Sequence, residues 1–112
     1  MTILNLNKDV KGFNTFGLPF SENRYSVTLP VSTAITLTIP SDNARWLAVF
    51  SYEAGGNVWV ANNLTAAVPA GATFAATTSE RNPVAREVKA GDVLSVITGD
   101  TGVELGITLY AL

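Results

Sequence analysis

The last ten residues, "VELGITLYAL", alternate without a break, with Val103, Leu105, Ile107 and Leu109 on one side and Glu104, Gly106, Thr108 and Tyr110 on the other. Successive side chains reach opposite faces only on an extended strand, so this run offers one apolar face to a core and does not suit a helix. The same period recurs upstream. "RYSVTLPV" sets Tyr25, Val27, Leu29 and Val31 against Arg24, Ser26, Thr28 and Pro30; "TAITLTI" sets Ile35, Leu37 and Ile39 against Ala34, Thr36 and Thr38. "DVLSVIT" is another strand, with "TFAATTS" and "VAREVK" as weaker ones. Pro30, inside an apparent strand, implies an edge position or a bulge. No helical period with a cap runs to about ten residues. "AGGN", "PAGA", "KAGD" and "GDTG" supply turns between the runs. Seven or eight short strands separated in this way predict an all-β antiparallel sandwich, jelly-roll-like in build.

A chain of 112 residues is one domain. Residues 23–112 form the expected sandwich, and residues 1–22 read differently. Their apolar positions (Ile3, Leu4, Leu6, Val10, Phe13, Phe16, Leu18, Phe20) keep neither period, and Gly12, Gly17 and Pro19 interrupt them. This leader is either an extra strand capping the sandwich or an arm laid on a neighbour through Phe13, Phe16 and Phe20. It lacks the basic region, unbroken apolar core and small-residue cleavage site of a signal peptide, so folding in a cytoplasm is expected.

"ARWLAVFSYEAGGNVWVANN" reads as a hairpin around Gly55 and Gly56, with a first strand apolar on both faces. Leu47 and Val49 are expected against the opposite sheet. Trp46, Phe50 and Tyr52 would then form an outer patch of roughly 500 Å², large for a free monomer. Another protein, or the chain's own leader, would cover it. Composition agrees, since only 14% of residues are charged against about 25% in an average domain. A surface so poor in charge suits a subunit, so a homo-oligomer is expected.

The chain has no His and no Cys, which removes the usual general base, the best nucleophile and the commonest transition-metal ligands. Asp42, Asp92 and Asp100 sit in turn contexts beside Gly, Asn or Ser, where carboxylates serve the backbone. No enzyme activity, cofactor or metal is expected. The net charge is −2 and the basic residues are dispersed, which argues against nucleic acid. No uncharged apolar run nears the ~18 residues of a membrane helix. Two features are left for binding. Trp59 alternates with Asn57, Ala61 and Asn63 and is a candidate sugar platform, the less favoured reading. Glu80, Arg81 and Asn82, in the polar stretch "TTSERNPVAR", form a candidate contact loop.

The segments "VWVA", "AAVPAG", "SERNP", "KAGDVLSVIT" and the terminal "ITLYAL" together resemble the small structural proteins of tailed bacteriophage virions. The likeness covers about half the chain and rests on pattern. It implies a non-enzymatic capsid decoration (cement) protein, a jelly roll on the outer shell that contacts the major capsid protein or another virion protein, with the leader as a capsid-binding arm. Neck, tail or fibre positions, and a carbohydrate-binding module, are the alternatives.

Overall fold

In a computed structural model, which describes residues 1–15 and 17–112, the chain is all-β, with no helix among the described residues. Eight strands form: β1 (Asn23–Leu29), β2 (Ile35–Thr38), β3 (Arg45–Tyr52), β4 (Trp59–Asn62), β5 (Glu80–Arg81), β6 (Ala85–Lys89), β7 (Val93–Ile97) and β8 (Val103–Ala111). They make two antiparallel four-stranded sheets, ordered β1-β8-β3-β6 and β2-β7-β4-β5. First pairs with last, second with seventh, third with sixth and fourth with fifth. This nesting is the jelly-roll topology.

The nesting overturns the hairpin expected around Gly55 and Gly56. β3 pairs with β6 and β8 in one sheet, while β4 pairs with β5 and β7 in the other. "EAGGN" is therefore a corner that carries the chain between sheets. The same holds for "KAGD" between β6 and β7 and for "GDTG" between β7 and β8. Among the described residues, the only consecutive strands that pair, β4 and β5, are joined by the longest connection, residues 63–79. Within it, the expected strand "TFAATTS" does not form, and its Phe74 is fully exposed. The segment lies instead on the outer face of the second sheet, where the Ala66 amide donates to Ser95 Oγ (3.0 Å) and both residues are buried.

The faces of β3 are also the reverse of the expectation. Trp46, Ala48 and Phe50 are buried in the inter-sheet core with Leu105, Ile107, Leu109, Val60 and Val96. Leu47 and Val49 lie half-buried on the outer face. The cause is register. Trp46 stands opposite Ala111, and Phe50 opposite Ile107, which places the aromatic row level with the inward apolar row of β8. Trp46 Nε1 donates to the carbonyls of Pro40 and Asn43, both at 3.1 Å, so the indole is buried with its polar atom paired. The Phe50 and Tyr52 rings stack with centroids 6.4 Å apart. β1 is an edge strand and ends at Leu29, so Pro30 falls just outside it, where its missing N–H costs no ladder bond.

One side chain ties the turn between β6 and β7 to the end of β4. Asp92 accepts hydrogen bonds from Asn63 Nδ2 (3.0 Å), Asn62 Nδ2 (3.3 Å) and the Lys89 amide (2.9 Å). Asn63 Oδ1 accepts in return from the Val93 amide. Gly91 (φ +79°) supplies the left-handed residue this tight turn requires. The bond from Asn63, then that from Lys89, hold the Asp92 carboxyl below its ordinary range.

Two outcomes are expected. Phe50→Ala leaves a core cavity and lowers unfolding free energy by about 3–4 kcal/mol in urea titration. Asp92→Ala costs about 1 kcal/mol at neutral pH, as befits bonds at an exposed turn. The folded Asp92 pKa is depressed, so its contribution is present above the unfolded value of about 3.9 and fades as pH falls through the folded one. The gap between wild type and Asp92→Ala should therefore close on acidification below about pH 4.

Candidate functional site

The leader is neither a full strand of the sandwich nor a free arm. It is a thumb, held at both ends. At its start, the Leu4 amide donates to the Ala111 carbonyl and the Ala111 amide to the Thr2 carbonyl, both at 2.8 Å, and Ile3 bridges Ala111 in parallel. Residues 2–4 thus stand beside the end of β8, just past the first residue of β1. At its return, the buried Ser21 Oγ donates to the Leu109 carbonyl (2.5 Å) and accepts from the Asn23 amide (3.1 Å). The two ends meet where Thr2 Oγ1 accepts from the Glu22 amide (3.0 Å) and the N-terminal ammonium pairs with Glu22. Tyr110, on the outer face of β8, is buried under the returning segment and donates to the Pro19 carbonyl (2.6 Å).

Between these attachments the segment turns back on itself. Lys8 bridges Asn14, and the Asp9 carboxylate accepts from the Lys11 amide (2.8 Å) and the Phe13 amide (3.0 Å). This is Asx-turn chemistry, with a side-chain acceptor organising a short loop. The thumb's side chains are uncovered: Val10 is fully exposed, Phe13 is 69% exposed and Phe20 is 92% exposed. Phe16 lies outside the described residues. The whole molecule measures 51 × 29 × 26 Å, with a radius of gyration of 15.5 Å, against about 13 Å for a compact chain of this length.

Of the other expected contact residues, Trp46 and Phe50 are core, and Tyr52 is half-buried with its hydroxyl on the Pro83 carbonyl (2.6 Å). Burial pushes the Tyr52 phenol well up from its ordinary pKa. A partner cannot reach Trp46 or Phe50 on the folded chain, because the opposite sheet already occupies that side. Glu80, Arg81 and Asn82 do not form one contact loop. Glu80 on β5 pairs with Arg86 on β6 (2.5 Å) and so spans the two sheets at one side of the sandwich. Asn82, at φ +45°, is committed to backbone: its Oδ1 accepts from the Val58 amide (2.7 Å) and its Nδ2 donates to the Gly56 carbonyl (3.1 Å). Arg81 is exposed opposite Trp59. Trp59 is half-buried on the outer face of the second sheet, beside an open depression of about 500 Å³ formed with Pro69, Phe74 and Thr77.

A further opening was not legible in the chain. On the side opposite the Glu80–Arg86 pair, edge strands β1 and β2 leave an apolar slot of about 220 Å³ between the sheets, lined by Tyr25, Val27, Ile35, Leu37, Leu105 and Ile107. Alternation marks these residues as inward-facing, but does not say that two sheet edges stand apart. Across β1 from the slot lies a polar trough of about 510 Å³. Its floor is the row Ser26, Gly106 and Ser51, and Glu53 and Glu104 stand at its border. A Cβ on Gly106 would lie 2.7 Å from Ser51 Oγ, so any side chain there would disturb this floor. Among the described residues, no group of three or more His, Cys, Asp or Glu side chains could hold a metal ion.

No family model, curated protein or solved structure matches this chain.

The staples and the tip should separate on mutation. Replacing residues 6–18 by a short Gly-Ser linker, with Thr2–Leu4 and Pro19–Glu22 kept, should leave the melting temperature within a few degrees of wild type. Deleting residues 1–22 uncovers Tyr110 and the end of β8 and removes several backbone bonds. It should lower the melting temperature by roughly 10 °C or more. Differential scanning calorimetry of the two variants checks both statements.

Proposed function

We propose that this chain is a non-enzymatic structural protein of a tailed-phage virion, a capsid decoration protein that braces the shell by protein–protein contact. The observation that carries the reading is the thumb. A rigid sandwich holds it at both ends and pre-orders its tip, yet leaves its apolar side chains in water. Uncovered Phe and Val on an ordered segment suit a docking element, since little entropy remains to be lost when it seats. The segments that resemble phage structural proteins support the setting. Phe20, at the thumb's base and nearly free of its own domain, is the proposed shell anchor. The partner is then the major capsid protein or another virion protein, and the location is the capsid surface. The scarcity of charge suits a surface engaged in contacts.

A carbohydrate-binding module is the second reading, and one observation favours it. Trp59 stands at an open depression with Pro69 and Phe74, where a sugar ring could stack.

Co-sedimentation with undecorated phage shells tests the first reading. Wild type should pellet with the shells. Phe20→Ala should bind about 10- to 100-fold more weakly with unchanged melting, as loss of one buried aromatic predicts. Failure to bind any shell, neck or tail assembly would overturn the proposal. Quenching of Trp fluorescence by a glycan, lost in Trp59→Ala, would favour the alternative.

A further inference from the structure

The two long sides of the sandwich are finished differently. At the β5–β6 side, the Glu80–Arg86 ion pair and the Tyr52 bond to Pro83 bridge the gap, and the opening of about 320 Å³ beside them, which reaches Phe50 and Leu94, is bordered by polar groups of Asn62, Thr78, Glu80, Arg86 and Glu87. At the β1–β2 side nothing polar bridges it among the described residues, and the slot opens on core side chains, with Val27 itself 37% exposed. An apolar mouth of this kind needs an apolar occupant. Its volume, about 220 Å³, is enough for one aromatic ring, since an apolar cavity of about 150 Å³ already holds benzene.

The chain carries a matching object. The thumb tip presents Phe13 and Val10, flanked by Lys8 and Lys11, while the tip's one carboxylate, Asp9, is engaged with its own backbone. The border of the slot presents the opposite charge, because Glu53 and Glu104 stand in the trough that shares Ser26, Val27 and Leu105 with it. Both carboxylates are exposed. From this pairing of ring with slot and lysine with carboxylate we infer that the occupant is a second copy of this chain. The thumb tip of one copy lies across edge strand β1 of the next, with Phe13 in the slot and Lys11 beside Glu53 and Glu104. The two surfaces differ, so the contact is heterologous and builds a ring where the rotation closes. Covering the tip buries roughly 500 Å² per partner, below the ~800 Å² of a standard stable interface. Association is therefore weak, in the micromolar range.

The contact goes beyond the decoration reading and is measured without any shell. Phe20 lies outside it and stays free for the shell. Sedimentation velocity of the purified full-length chain over a concentration series is the test. Wild type should self-associate, with assembly weakening as salt rises, because the lysine–carboxylate contacts are exposed. Phe13→Ala should weaken assembly about 10- to 100-fold, and Phe20→Ala should not. Lys11→Glu and Glu104→Lys should each weaken it, and the double variant should recover most of the loss. All four positions are exposed, so melting should not change. A wild type that stays monomeric up to roughly 1 mM, assembly indifferent to Phe13→Ala, or a double variant no better than the singles would each overturn the inference. Loss of shell binding with intact self-association would overturn the decoration reading alone.

Discussion

The hydrogen bonds that β8 makes to β1 on one side and to β3 on the other join the beginning, middle and end of the chain into one sheet. The inward row of β8, Val103, Leu105, Ile107, Leu109 and Ala111, is entirely buried. Its register brings Trp46 and Phe50 inward, and its last residues hold both ends of the thumb through Leu109 and Ala111. The core, the facing of β3 and the anchoring of the leader therefore all wait on the last strand to be made. Pairing at such sequence separation loses loop entropy before contacts repay it, so slow folding is the physical corollary of this topology.

The same topology explains why the two long sides of the molecule differ in chemistry. A two-sheet sandwich has two long sides, and each must satisfy or cover its edge strands. The β5–β6 side has a cross-sheet ion pair, with Arg86 holding the Glu80 carboxyl below its ordinary range. The β1–β2 side has only an apolar slot. The thumb has the converse character, with its backbone bonded at both ends and its side chains uncovered. Together they describe a chain whose apolar surface is not fully used within one copy. That is the physical basis for the proposal that it works as a subunit.

Part of the candidate site was legible in residue order. The leader stood out because its apolar positions keep no period, and Phe13 and Phe20 are exposed within it. Its staples were not legible. Ser21, Thr2 and Tyr110 are ordinary polar residues until β8 is placed beside them. Trp46 and Phe50 show the opposite error. Two apolar faces on β3 were visible, but composition cannot say which one meets the other sheet. Asn82, polar and set in a polar stretch, has the sequence character of a contact residue. It serves the backbone of the corner just before β4 instead, a role created only when residues 56–58 come alongside.

The sequence by itself determined the all-β class and which residues of the long strands share a face, because side-chain alternation is a local property of an extended backbone. It determined the turns as well, since Gly, Asn and Asp act over a few residues. Only the tertiary structure decided which strands pair and that the "AGGN", "KAGD" and "GDTG" turns cross between sheets. It alone decided that Trp46 faces inward, that the leader is tied at both ends, and that one side of the sandwich is bridged by an ion pair while the other opens on an apolar slot. A strand's period records which way its side chains point and carries no record of its neighbour. Partnership is set by the register that buries the most apolar surface across the whole chain.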